Sequence, residues 1–392
     1  MVNSLHAPAD DSPSSEVILI TGVGGSIGSS IARQFCVGAQ HRCAPACHDV
    51  NRTSVLSDGR APSPDDQIRT VVLLDHSEQN LYEINSELSS ATAHPKRQIF
   101  PVLGDINDSI LLDELFDIHR PTQIFHAAAF KHVPLMEENL IAAIRNNILG
   151  TWTLATTAAK YRARQLTMIS TDKAANPRSI MGAAKRVAEL ILTRLDAPAT
   201  RMCAIRLGNV LGSTGSVVPF FQRQIANGGP VTVTHPEARR YFLSLEDATN
   251  LILSAAGLED SATLFVPDLA EPIKILDLAK KLISEAQPSA TPDGKKIEIV
   301  FAGLRPGDKL YEDLLSSSES AEPTTHPKLR RIVGPIPTAK SLDAAITLIS
   351  ERVQSRDLPA LLESVRSLVP DYEPSALISA QISTHLSATA KA

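Results

Sequence analysis

The chain has 392 residues, 43% hydrophobic and 21% charged, a composition that fits a globular protein of two or three domains and excludes a disordered or fibrous one. The formal net charge of −5 offers no basic field for nucleic acid, and no run reaches the ~20 apolar residues that span a bilayer, so neither nucleic acid nor membrane is an expected partner. Four cysteines do not make a disulfide framework, and the N-terminus lacks a basic segment followed by an apolar one, so a cytoplasmic location is expected.

Residues 1–15, rich in Ser, Asp and Pro, read as a disordered tail. Val17–Thr21 is a β-branched apolar run suited to a buried parallel strand, and a Gly-rich turn and a helix near Ile27–Phe35 follow it. Residues 37–68 lose all periodicity and read as an insertion. Cys36, Cys43 and Cys47 lie near His41 and His48, but with no C-x-x-C and no second ligand pair, reduced thiols are expected and no metal. Strands at Val71–Leu74, Ile99–Leu103, Gln123–His126, Leu166–Ser170 and Cys203–Arg206 alternate with helices at Leu81–Leu88, Ile110–Phe116, Leu140–Tyr161 and Met181–Leu195. That alternation predicts an α/β fold, a Rossmann-type doubly wound parallel sheet over residues 16–205. After Arg206 the strands shorten, which predicts a smaller α/β substrate-binding region over 206–337, with helices near Leu245–Ala256 and Ile275–Ala286. A helical extension is expected over 338–392.

Gly22, Gly25 and Gly28 form G-x-x-G-x-x-G between the first strand and its helix. Glycines there permit a tight turn and close approach to a pyrophosphate, and the free N–H groups of Ser26, Ile27 and Gly28 at the helix start face the phosphates. Asp75 ends the second strand, where a carboxylate accepts from ribose hydroxyls. It repels a 2′-phosphate and no Arg follows it, so NAD is favoured over NADP. Asp105 and Ile106 after the third strand suit the adenine, and Ala127 and Ala128 after the fourth allow close backbone approach. The plain alternative for each is a structural turn.

Ser170-Thr171-Asp172-Lys173 closes the fifth strand and Met181-Gly182-Ala183-Ala184-Lys185 opens the next helix, both at the carboxyl edge of the sheet where ligands bind. Here the sequence resembles the extended short-chain dehydrogenase/reductases, through the Gly-rich turn, the His126-Ala127-Ala128-Ala129 turn and the run Asn147-Ile148-Leu149-Gly150-Thr151. It resembles most their CapD-like polysaccharide-biosynthesis branch, the UDP-N-acetylglucosamine 4,6-dehydratase-like proteins, through HAAAFKHVPLMEEN, STDKAANPRSIMGAAKR and GLRPGDKLYEDLL.

The resemblance implies oxidation of a UDP-sugar at carbon 4, loss of water across carbons 5 and 6, and hydride return to carbon 6. It makes Asp172 the acid and Lys173 the base, and a lysine base requires a lowered pKa. The superfamily's triad tyrosine falls at Met181, which cannot exchange a proton. Thr171, Lys185 or a water remain as bases for carbon 4, and Lys185 also suits the nicotinamide ribose. Lys131 and His132 are expected to border the sugar, Asn147, counted with the substrate-binding residues, to support the active-site backbone or a water, and Asn209, Arg240 and Arg305 to lie around the nucleotide. A homo-oligomer is expected from family habit. A 4-epimerase or other sugar oxidoreductase is the alternative enzyme, and a dinucleotide-sensing regulator, consistent with Met181, is the alternative without catalysis.

Overall fold

The computed structural model describes residues 16–37, 68–91, 97–213, 215–260, 263–286, 296–334 and 342–389. The expected tail and most of the insertion, with Cys43, Cys47, His41 and His48, lie outside the described residues. Cys36 is buried.

Six strands, β1 (Glu16–Thr21), β2 (Ile68–Asp75), β3 (Gln98–Leu103), β4 (Gln123–His126), β5 (Gln165–Thr171) and β6 (Arg201–Leu207), lie in the order β3-β2-β1-β4-β5-β6. All neighbours among them are parallel. The strand order reverses between β1 and β4, which opens a crevice at their carboxyl ends. The apolar runs are continuous because helices cover both faces: Ile18, Leu19 and Ile20 are all fully buried. Each such side chain contributes about 1.5–3 kcal/mol of apolar burial.

One face of the sheet packs on α1 (Ser26–Val37) and α2 (Glu78–Ala91). The other packs on α3 (Ser109–His119) and on a long helical stretch after α4 (Val133–Glu138). The single helix expected over Leu140–Tyr161 is three pieces: α5 (Leu140–Ile144), a π turn at Arg145–Leu149 and α6 (Gly150–Lys160). Asn147 accounts for the widened turn. Its side chain accepts from the Phe130 amide at 2.8 Å and donates to the Phe130 carbonyl at 2.9 Å, so the helix carries an inserted residue that serves the loop after β4. The helix after β5, α7 (Ile180–Arg194), is capped by the Ser179 hydroxyl, which accepts from the Gly182 amide at 3.1 Å.

Beyond β6, the chain builds a small third core on α8 (Val217–Ala226) and α10 (Ile275–Ala286), around Phe221, Val231, Val233, Ile275 and Ile283. Between them, α9 (Leu245–Gly257) returns to the main body, packing with α1. Three later strands rejoin the main sheet: β7 (Thr263–Pro267) runs parallel to β6, and β8 (Ser320–Pro323) and β9 (Leu329–Val333) continue it antiparallel. Three helices, α11 (Leu342–Ser355), α12 (Leu358–Leu368) and α13 (Ala376–Thr389), complete the described chain. No helix among the described residues is long and apolar enough to cross a membrane.

Arg206, which the sequence placed at the border of the substrate region, is fully buried. It donates to both carboxylate oxygens of Glu189 on α7, at 2.9 and 2.8 Å, and to those of Glu319, at 2.7 and 3.1 Å. Burial alone raises the Glu319 pKa, but hydrogen bonds and charge from Arg206 outweigh it and hold the carboxyl at about 2. A depressed carboxyl stabilises the fold above its unfolded value near 4.5 and loses that contribution as pH falls towards 2. Urea unfolding of Glu319→Gln against wild type, measured from neutral pH downward, is expected to show a variant about 3 kcal/mol less stable near neutrality, with the gap narrowing below about pH 4.

Candidate active site

The Gly-rich turn is tight because nothing larger fits it. Gly22 adopts φ +69°, and a Cβ there would lie 2.5 Å from the Ala128 amide. A Cβ on Gly28 would lie 2.2 Å from the Gly22 carbonyl oxygen, whereas Gly25 is less crowded at 3.3 Å. The turn thus seats directly against Ala127 and Ala128, with Ser26 and Ile27 at the start of α1. Asp75 is buried at the end of β2 and accepts from the Gly24 amide at 2.8 Å and the Ser77 amide at 2.9 Å. Each carboxylate oxygen keeps a further lone pair for a ligand hydroxyl. Asp105 is exposed, accepts from Asn107 and borders a cavity of about 490 Å³, while Ile106 is buried against Gly150.

His126 locks the neighbouring strand ends. Its Nδ1 is 2.8 Å from the Thr21 hydroxyl and its Nε2 is 2.9 Å from the Thr151 hydroxyl. Thr151 spends its own proton on the Asn147 carbonyl, so Nε2 donates and Nδ1 accepts. Burial, with Lys185 nearby, lowers the imidazole pKa to about 3 and keeps the ring neutral.

Asp172 and Lys173 form a single turn of 3₁₀ helix directly after β5. Asp172 is fully buried. Its Oδ1 accepts from the Thr171 hydroxyl at 2.9 Å and from Lys173 Nζ at 3.0 Å, while its Oδ2 is buried without a hydrogen-bond partner. Lys173 Nζ also lies 3.2 Å from Glu312 Oε1 and 3.5 Å from Asn209 Oδ1. Glu312 Oε2 is the second orphaned buried oxygen of the cluster. A buried polar atom left unsatisfied costs about 1–3 kcal/mol, and such atoms persist where a ligand completes them.

The depressed pKa expected of Lys173 is corrected by these neighbours. Burial lowers it, but the charges of Asp172 and Glu312 prevail and hold the ammonium above its ordinary value. Burial does depress Lys185, to about 8, and lowers Lys131 as well. Lys185 lies one turn after Met181, which is itself packed into the main core.

The residues expected around the substrate divide. Lys131 and His132 are exposed after β4, and the His132 ring packs on Gly215. Asn147 is buried beneath them and shapes the loop through Phe130. Arg240 donates to the carbonyls of Arg239, Leu310 and Lys309 and lies 3.5 Å from Glu312, so its guanidinium braces the segment that carries Glu312. Arg305 is exposed and pairs with Asp308 at 2.9 Å. Sequence reasoning missed Glu312, although it lies within the distinctive stretch GLRPGDKLYEDLL. It missed Glu137 as well, whose carboxylate accepts from the Ile180 amide at 2.7 Å, at the start of α7.

A family model for polysaccharide biosynthesis proteins matches residues 63–333. The chain is 42% identical over 321 residues to the capsular polysaccharide biosynthesis protein CapD of Staphylococcus aureus, covering 81% of this chain and 48% of CapD. It is 38% identical over 316 residues to the probable polysaccharide biosynthesis protein EpsC of Bacillus subtilis, covering 80% and 47%. The chain thus spans about half the length of these relatives. A UDP-glucose 4-epimerase of Rickettsia rickettsii is 29% identical over 311 residues, covering 78% of this chain and 80% of that one. Among solved structures, Pen from Bacillus thuringiensis matches with a TM-score of 0.65 at 26% identity, over 83% of this chain and 89% of Pen. DesIV, a dTDP-glucose 4,6-dehydratase from Streptomyces venezuelae solved with NAD bound, matches at 0.58 and 19% identity, over 76% and 88%, a likeness of fold. The chain belongs to the polysaccharide biosynthesis protein family, in the CapD-like branch of the extended short-chain dehydrogenase/reductases.

Proposed function

We propose that the protein is an NAD(P)-dependent nucleotide-sugar 4,6-dehydratase acting on UDP-N-acetylglucosamine or a related UDP-sugar. The observation that carries the reading is the half-buried Thr171–Asp172–Lys173 cluster, built on a fully buried Asp172 with an unpartnered carboxylate oxygen. The glycine turn and Asp75 fit a dinucleotide: Gly22, Gly25, Gly28 and the start of α1 would hold its pyrophosphate, Asp75 a ribose, Asp105 and Ile106 the adenine, and Lys185 the nicotinamide ribose. NAD or NADP bound there would supply the hydride acceptor for carbon 4 and, once reduced, the hydride donor for carbon 6.

The protein's own residues handle the protons. Met181 takes none, so the Thr171 hydroxyl receives the proton of the carbon-4 hydroxyl as it passes its own to Asp172, 2.9 Å away. Lys173, as a neutral amine, removes the proton from carbon 5. Asp172 then gives the proton it received to the carbon-6 hydroxyl, which departs as water. Lys173 returns its proton to carbon 5. The proton lost from the carbon-4 hydroxyl leaves in the water, so the cycle closes without a further base. The Rickettsia relative favours a second reading, 4-epimerisation, but an epimerase has no use for an acid beside an amine at carbons 5 and 6.

Incubation with UDP-N-acetylglucosamine and NAD tests the proposal: it requires a product lighter by one water, and an isomer of unchanged mass supports the epimerase. Asp75→Ala is expected to weaken cofactor binding about tenfold or more, read by fluorescence titration with the reduced dinucleotide. Unchanged affinity removes Asp75 from the site.

A further inference from the structure

Lys173 poses a problem that Asp172 does not solve. The amine must be neutral to take the carbon-5 proton, yet Asp172, already assigned the carbon-4 proton, cannot also store the one that Lys173 gives up. A second carboxylate touches the amine from another part of the chain. Glu312 Oε1 lies 3.2 Å from Lys173 Nζ, with its side chain 2% exposed and Oε2 buried without a hydrogen-bond partner. Resting on the dehydratase reading, we propose that Glu312 is the positioning residue for Lys173, aiming its amine and accepting its ammonium proton so that Lys173 meets the sugar uncharged.

The transfer breaks one N–H bond of the ammonium and forms the carboxyl O–H of Glu312. It turns the resting ion pair, in which Lys173 is the ammonium, into a neutral pair, at a cost that the burial of the Glu312 carboxyl lessens. The charged groups facing Glu312 are Lys173 and Asp172 from the turn after β5, Arg240 from the two-residue strand Arg239–Arg240, and Lys309 from its own segment. Burial and the charge of Asp172 raise its pKa, against the three cations, which favours the protonated form that the transfer creates. Arg240 fixes the backbone that presents Glu312 through the carbonyls of Lys309 and Leu310, so the carboxylate is held in place rather than carried on a mobile chain.

Transfer within the pair leaves the proton count unchanged, so the supply of neutral amine does not depend on pH while the pair keeps one proton. Glutamine keeps the shape but accepts no proton, and Lys173 must then lose its proton to solvent. The test follows exchange of the carbon-5 hydrogen of UDP-N-acetylglucosamine with deuterated water in full-length, NAD-loaded protein across neutral pH. Wild type is expected to give a flat profile. Glu312→Gln is expected to lose about a hundredfold or more near pH 7 and to recover about tenfold per pH unit above it, while still reducing the cofactor on addition of substrate. Glu312→Asp is expected to restore the flat profile in part. Wild-type exchange with a flat profile in Glu312→Gln overturns the proposal. So does an equal loss of cofactor reduction and exchange in both variants without recovery at higher pH, the mark of a merely structural role. Wild type that neither exchanges carbon 5 nor releases water overturns the dehydratase reading instead.

Discussion

Asp172→Asn is expected to abolish turnover, by about a thousandfold or more, and to stop it at the first step, with no reduction of cofactor when substrate is added. Asparagine keeps the volume, still accepts from Lys173 and Thr171, and leaves Glu312 to pair with Lys173, so some stability is lost with the charge while the side chains stay in place. It cannot become a carboxylic acid. The proton of the carbon-4 hydroxyl then has no destination, and none is available later for the departing carbon-6 hydroxyl. Both halves of the reaction draw on one buried side chain whose Oδ1 accepts from Thr171 at 2.9 Å. A stopped-flow record of reduced nicotinamide, with product mass as the endpoint, measures both. Normal cofactor reduction in the variant assigns the carbon-4 proton elsewhere, with Lys185, at a pKa of about 8, as the next base.

Lys173→Met is expected to cost a similar factor but to stop one step later. Carbon 4 is still oxidised, so reduced cofactor accumulates, while carbon-5 exchange and water loss fall by about a thousandfold. Methionine preserves much of the volume, but Asp172 and Glu312 then face each other without their shared cation. Removing one partner of a buried ion pair costs about 3–5 kcal/mol, so a lower melting temperature is expected beside the kinetic defect. The two variants stall on opposite sides of cofactor reduction, an outcome that a general loss of packing does not produce. If Lys173→Met also fails to reduce cofactor, the amine acts at carbon 4 and the assignment of roles is wrong.

Much of this site is local in sequence and was legible for that reason. The glycine turn needs only β1 before it and α1 behind it, and Asp75 and Thr171–Lys173 end strands whose order puts them on one edge. What could not be read is what the chain brings from afar. Glu312 reaches Lys173 from the segment before β8, and its charge reverses the direction in which burial alone shifts that lysine. The π turn at Arg145–Leu149 hides inside a good helical pattern, because Asn147 disturbs it through contacts with Phe130 that no periodicity records. Arg240 read as a ligand-facing cation and Arg206 only as the border of the substrate region, and their partners on Glu189, Glu319 and the 309–312 segment become visible only once β6 and the later loops close over them.

On the proposed dehydratase reading, one catalytic cycle moves the carbon-4 hydride to carbon 6 as water leaves. The direct measurement supplies UDP-N-acetylglucosamine deuterated at carbon 4 and locates the label in the product. The expected product is a 4-keto sugar lighter by one water, with the deuterium at carbon 6. Deuterium retained at carbon 4 of a product with all its oxygens contradicts it.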